Sequence, residues 1–237
     1  MIAIAEKTVR DLVLESPAAA RVFESLGIDY CCGGQQTLAQ ACQAAAVPVA
    51  EVEASLSAAP AAQDATDWRT APLAGLIAHI RNTHHRYVRS EIARLTPLFE
   101  KVVSVHGKNH PELLAMRGSF IPLAQELTTH LMKEEAILFP YIVRLEEAAV
   151  EKAPVVPPPF GTVRNPVAMM VHEHDDAGEA LRALRHASQG YAPPPDACLS
   201  FQTLYQALAA FEADLHQHIH LENNILFPRA IQLETSV

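Results

Sequence analysis

Apolar positions recur along the last two-thirds of the chain with a helical step. Leu204, Leu208, Phe211, Leu215, His218, Glu222 and Ile225 follow one another at intervals of four and three, as do Val167, Met170, His174, Ala177, Leu181 and Leu184. Leu113, Met116, Phe120, Leu123, Leu127, His130, Glu134, Ile137 and Tyr141 keep the same rhythm. Such a stripe is the inward seam of a bundle helix. It predicts four long helices, at about 70–100, 111–149, 165–188 and 197–233. The first is less regular: His85, Val88, Ile92, Leu95 and Phe99 form its face, but Arg81 falls where an apolar residue belongs. Pro122 lies inside the second and is expected to kink it. The proline-rich stretches EKAPVVPPPFGTVRNP and GYAPPP separate the second helix from the third and the third from the fourth.

The first 58 residues predict short helices. Thr8 is placed to cap a helix to Glu15, Ser16 to cap a second with Pro17 at its first position, and Gly27 to end it. A turn, IDYCCGGQQT, follows, then a helix capped by Thr37 running to Ala46 and broken by Pro48. The alanine-rich stretch at 57–66 reads as a linker. No alternating strand pattern or hairpin signal occurs. The expectation is an all-α chain: residues 1–58 form a short helical N-terminal domain, and residues 67–237 a four-helix bundle.

The seams carry residues that a bundle core should not hold: His130, Glu134, His174, His218, Glu222 and His85. Burying ionisable groups costs several kcal/mol unless they are paired or neutralised. They also repeat. HLMKEEAILFP at 130–140 returns as HIHLENNILFP at 218–228, an offset of 218 − 130 = 88 residues, and His85 matches His174 at 174 − 85 = 89. The bundle is therefore a duplicated helical hairpin, each half offering one His and then a His-x3-Glu pair. Residues four apart share a helix face, so four imidazoles and two carboxylates converge on the bundle axis. Mostly nitrogen and oxygen donors suit two iron ions, with manganese or zinc as alternatives, each ion taking imidazoles and both glutamates bridging. Oxidation of both ions adds two positive charges, which a bridging oxo dianion cancels. His84 rivals His85 as a ligand, although the register of the repeat favours His85. His216 and His220 lie about 200° round the helix from His218 and cannot share its direction. His172 stands in the same relation to His174. His79, His106, His110 and His186 read as surface or loop residues.

Composition narrows the function. The formal charge of −9 disfavours nucleic acid. No apolar run is long enough for a membrane span, and the charged N-terminus is unlike a signal peptide, so the cytoplasm is expected. Four cysteines, two of them adjacent, are expected as free thiols in a reducing compartment. Cys31 and Cys32 sit in a glycine-rich turn, where exposed thiols can bind iron transiently, react with nitric oxide or form mixed disulfides. The alternative is a turn whose small residues merely fit. Cys42 and Cys198 read as structural.

HHRY, HLMKEEAILFP, HEHDDAGE and HIHLENNILFP resemble the hemerythrin-like domain of the iron-sulfur cluster repair di-iron proteins, the repair-of-iron-centres family. DYCCGGQQTLAQAC resembles that family's short N-terminal domain. The resemblance implies two non-haem iron ions, oxo- or hydroxo-bridged when oxidised, held by His85, His130, His174 and His218 with Glu134 and Glu222 bridging. It implies a stress-response role in which iron-sulfur proteins damaged by nitric oxide or peroxide are restored through iron donation or nitric oxide handling. Similar proteins have carboxylates near a path to the iron; Glu126, one turn before His130, and Glu173, beside His174, are the counterparts, behind the ligands or on an iron-exit route. Oxygen-carrying hemerythrins differ: their third helix offers His-x3-His, whereas His174 here is followed four residues later by Gly178. Whether the centre is catalytic, as a nitric oxide reductase or oxidase, or binds oxygen or nitric oxide as a sensor, is left open by the pattern, as is a metal-free bundle. The N-terminal domain is expected to pack on the bundle or on a second copy in a homodimer.

Overall fold

The computed structural model describes residues 3–59 and 66–236, and every regular element among them is helical. The chain opens with four short helices. In α1 (Val9–Glu15) the Thr8 hydroxyl accepts from the Asp11 amide, and α2 (Ala18–Leu26) ends at Gly27 in the left-handed conformation, φ 69°. The Ser16 cap does not form, because Pro17 takes the cap position with helical dihedrals. In α3 (Leu38–Ala44) Thr37 and Gln40 close a reciprocal capping box, and α4 (Val49–Ala58) starts after Pro48. These helices bury their own cluster around Phe23, Tyr30, Leu38 and Val52. The linker expected over 57–66 falls largely on 60–65, outside the described residues.

The long helices of the bundle follow. The first is α5 (Leu73–Ile80) continued by α6 (Arg86–His106), the second α7 (Glu112–Lys133) continued by α8 (Phe139–Glu151). The third is α9 (Arg164–Ala187), and the fourth α10 (Leu199–Leu221) continued by α11 (Phe227–Glu234). Three of the four are interrupted by one wide turn of π-helix, at Arg81–His85, Glu134–Leu138 and Glu222–Leu226. Each contains or starts at a residue of the polar seam, in keeping with the tendency of π turns to mark functional positions. In the second and fourth helices the cause lies in ILFP. Pro140 and Pro228 have no N–H, and their rings clash with the carbonyl four residues back in a regular helix. The chain widens instead: the Phe139 amide donates to the Glu134 carbonyl, and the Phe227 amide to that of Glu222.

The extra residue of a π turn explains two departures from the predicted seams. In the first helix the inward positions run Ile77, Ile80, His85, against Val167, Met170, His174 in the third. The step of five in place of four is the inserted residue, and it turns Arg81 outward. In the second helix Leu138 takes the inward place predicted for Ile137, which is 50% exposed. The helix continues through Pro122.

Two apolar clusters fill the bundle. One is built on α6, α7, α9 and α10 around Phe99, Phe120 and Phe211; the other on α5, α8, α11 and the start of α9 around Ile80, Phe139 and Phe227. On every long helix the seam histidines and glutamates fall between the residues of these clusters, so the polar groups form one layer sealed on both sides. The halves also share a clamp. Glu146 accepts the amides of Leu73 and Ala74 at the start of α5 (2.6 and 2.8 Å). Its counterpart, 234 − 146 = 88 residues later, accepts the Val163 amide (2.8 Å) and the Thr162 hydroxyl at the start of α9.

The N-terminal helices pack on this chain's own bundle. Asn224 donates to the carbonyls of Tyr30 and Cys31 (3.3 Å each), and the Tyr30 ring lies 5.5 Å from that of His220.

Candidate metal centre

All six seam residues, His85, His130, Glu134, His174, His218 and Glu222, are buried. They converge as two overlapping groups: His85, Glu134, His218 and Glu222, and His130, Glu134, His174 and Glu222, with ligand atoms in each group within 4.8 Å of one another. Both glutamates belong to both groups. The Nε2 atoms of His85 and His218 stand 3.2 Å apart, and those of His130 and His174 3.1 Å apart. Glu134 Oε2 lies 3.4 Å from His85 Nε2 and 3.4 Å from His130 Nε2. Glu222 divides its oxygens: Oε1 is 3.0 Å from His218 Nε2, and Oε2 is 3.2 Å from His174 Nε2. His84 is buried too, but it points to Asp214 (Nδ1 to Oδ1 3.0 Å) and belongs to neither group.

The far side of three of the four rings fixes their tautomers, while His218 Nδ1 is buried with no partner. His85 Nδ1 meets Glu135 (2.7 Å), His130 Nδ1 meets Glu173 (2.8 Å), and His174 Nδ1 meets the Asn223 side-chain oxygen (2.8 Å). Those partners accept, so each Nδ1 carries the proton and each Nε2 turns a lone pair to the centre. Facing lone pairs at such distances repel unless a cation lies among them. Both Glu134 oxygens and Glu222 Oε2 are buried with no hydrogen-bond partner. Burial, then the neighbouring Glu222, pushes the Glu134 carboxyl well above the usual range. Burial and the nearby His174 bring His130 down to about 4, and burial lowers His218. Neutral imidazoles and orphaned carboxyl oxygens are what a metal site requires before it is filled. The donors present fit cations.

Comparison with known proteins agrees. Residues 76–230 match the hemerythrin HHE cation binding domain, and residues 5–60 match ScdA_N, a domain of unknown function. The chain is 36% identical over 234 residues to the iron-sulfur cluster repair protein YtfE of Pectobacterium carotovorum, covering 98% of this chain and 100% of that protein. It is 37% identical over 226 residues to the protein of that name from Citrobacter koseri (95% and 97%), and 36% over 230 residues to one from Escherichia coli (97% and 99%). The chain belongs to the iron-sulfur cluster repair protein YtfE family.

In this member of the YtfE family the remaining predicted residues divide. Glu173 backs His130 and also pairs with Lys133. Glu126, one turn before His130, is exposed and makes no hydrogen bond to a residue of the cluster. The cysteine turn lies against the bundle beside the centre: the Cys32 thiol donates to the His174 carbonyl (3.6 Å). A Cβ at Gly178 would stand 3.6 Å from Cys32 Sγ, an ordinary contact distance, so the thiol lies over the position four residues after His174. The expectation of two exposed thiols fails for Cys31, which is buried. Its hydrogen-bonded neighbour Cys32, burial and the Asp29 charge push its thiol well above the usual range, so it stays protonated until a bound cation displaces the proton. Cys42 is buried in the N-terminal core. Cys198 is not packed in a core: it is exposed at the start of α10, its sulfur 3.2 Å from His106 Nε2.

Four residues here escape a reading for ligands alone. Glu135 and Asn223 each directly follow a seam residue, and only the π turn swings them towards His85 and His174. Asp214 sits four residues before His218 and holds His84. Asn224 ties the cysteine turn to the helix that carries Glu222. The doubled copy was the available signal: residues flanking each His-x3-Glu pair were candidates to support it.

Proposed function

We propose that this chain repairs iron-sulfur clusters damaged by nitrosative or oxidative stress, using two iron ions held by His85, His130, His174 and His218 and shared by Glu134 and Glu222. The observation that carries the reading is that two four-residue donor groups have both glutamates in common. The names of the relatives supply the process. The iron, when bound, supplies transferable metal and redox chemistry with nitric oxide or oxygen. Glu135, Glu173 and Asn223 orient the imidazoles and keep their Nδ1 protons. The apolar clusters on either side keep bulk water out. Gly178 leaves one fewer imidazole than an oxygen carrier offers, which favours a labile or reactive centre over a store. Cys31 and Cys32, on the bundle beside His174, take part in transfer. Residues 1–58 act as a separate unit that presents them, and residues 67–237 as the unit that holds the iron.

The setting is the cytoplasm, where free thiols persist; the four cysteines are all free. No described helix is long and apolar enough to cross a membrane. The partners are damaged iron-sulfur proteins. In an anaerobic mixture of the reduced, iron-loaded chain with a nitrosylated cluster protein, the cluster is expected to recover as iron leaves the chain. Sustained nitrous oxide production without recovery would make the protein a nitric oxide reductase instead, and reversible nitric oxide binding alone would make it a sensor.

A further inference from the structure

The turn at residues 29–34 is built more tightly than presentation of two thiols demands. Asp29 Oδ1 accepts three successive amides, from Cys31, Cys32 and Gly33 (3.1, 3.0 and 3.1 Å). Both cysteine side chains are thereby gathered on the carboxylate. Cys31 Sγ lies 3.3 Å from Asp29 Oδ1 and 3.9 Å from Cys32 Sγ. Adjacent residues ordinarily send their side chains apart; here the backbone is folded so that they converge. Asn224 pins the turn from the bundle side through the carbonyls of Tyr30 and Cys31, and Gly34 is required there, since a Cβ would come within 2.8 Å of the Asn224 side chain.

We propose that Asp29, Cys31 and Cys32 form a further metal site, distinct from the bundle centre, for one thiophilic divalent cation. A carboxylate oxygen and the two sulfurs lie within 4.8 Å of one another. Two thiolates at about 2.3 Å from a tetrahedral ion stand about 3.8 Å apart, and a thiolate and a carboxylate oxygen about 3.6 Å apart. The sulfur separation of 3.9 Å needs only small adjustment, and because the three amides occupy Asp29 Oδ1, the carboxylate would offer the ion its other oxygen. Two sulfurs and one oxygen select ferrous iron, cobalt or zinc over magnesium or calcium. The three protein donors leave a fourth position for water or an incoming ligand. Cys31 is buried and Cys32 half-buried against α9 at the His174 carbonyl, so the ion would be held beside a helix that carries one of the bundle imidazoles. Its use as a stopping point for iron between the bundle and a client rests on the repair reading; the site itself does not.

The test uses the full chain, its bundle loaded with iron, titrated anaerobically with cobalt(II). We expect one cobalt per chain beyond the bundle iron, with a thiolate-to-cobalt charge-transfer band. Cys31→Ser with Cys32→Ser should lose both the band and the extra equivalent while keeping the bundle iron. Asp29→Asn keeps an oxygen for the three amides and should weaken cobalt binding without unfolding the turn, with circular dichroism as the check. No extra cobalt in the unaltered chain, or the same band in the double serine variant, would overturn the proposal. A chain that gains no bundle iron when ferrous iron is supplied, yet takes one thiolate-bound cobalt, would defeat the repair reading and leave this site standing.

Discussion

A single methyl group tests how the cysteine turn is seated. Adding a Cβ at Gly34 places it 2.8 Å from Asn224 Oδ1, closer than side-chain carbons approach such atoms, and a tight 3.1 Å from the Tyr30 carbonyl. Neither neighbour is free to move: Asn224 is buried, and Tyr30 is fixed in the N-terminal core. Gly34→Ala should therefore cost about 1–3 kcal/mol in thermal or denaturant unfolding, the usual range for overpacking. A variant as stable as the parent would mean that the turn is not held as described. At the same scale the sequence was most informative about the centre. The six seam residues were legible because burial of ionisable groups is expensive and their pattern occurs twice. Glu135, Asn223 and Asn224 were not, since an acid or amide beside a ligand looks like an ordinary solvated residue until a π turn redirects it.

At the scale of elements, the start of α9 depends on a residue far along the chain. Burial raises the Glu234 carboxyl, but hydrogen bonds from the Thr162 hydroxyl, the Val163 amide and the Tyr141 hydroxyl outweigh it and hold it below the usual range. A carboxyl lowered in the folded state contributes stability above its unfolded pKa and loses it as the pH falls through the folded one. Glu234→Gln should lower stability by about 1 kcal/mol at neutral pH, as loss of a helix cap does. The gap between parent and variant should close below the carboxylate range, measured as unfolding midpoints across pH. A gap that widened on acidification would contradict the clamp. The number and extent of the helices could be read from the sequence, yet their interruptions could not. Arg81 on an otherwise apolar face was the visible trace of the first π turn, and the prolines of ILFP were the cause of the other two. Periodicity assumes one pitch throughout, so it put Ile137 inside when the wide turn sends it out.

For the whole molecule, the repeat shows where the N-terminal helices sit. Ile137 and Ile225 are equivalent, 225 − 137 = 88 residues apart. Ile225 is 6% exposed against 50% for Ile137. Likewise Met132 is 58% exposed and its equivalent His220 5%. The N-terminal helices and the cysteine turn cover this face in one half of the bundle and leave it open in the other, so a duplicated sequence yields an asymmetric molecule. Ile225→Asp should destabilise the fold by several kcal/mol, because it buries an unpaired charge. Ile137→Asp should change stability by about 0.5 kcal/mol or less, as exposed substitutions do. Equal losses in the two variants would mean that both faces are covered. Sequence alone did not choose between docking on the chain's own bundle and docking on a second copy, since the choice is made by tertiary contacts such as Asn224 with Tyr30.

The same scale holds the central claim, that the sealed layer of four imidazoles and two carboxylates is built around a pair of cations. Metal analysis of the full chain, purified anaerobically and compared with Glu134→Ala and Glu222→Ala, tests it most directly. Two iron ions per chain are expected in the parent, with a marked loss in each variant as a shared ligand disappears. Less than one ion per chain in the parent, with no gain when ferrous iron is supplied, would contradict the account.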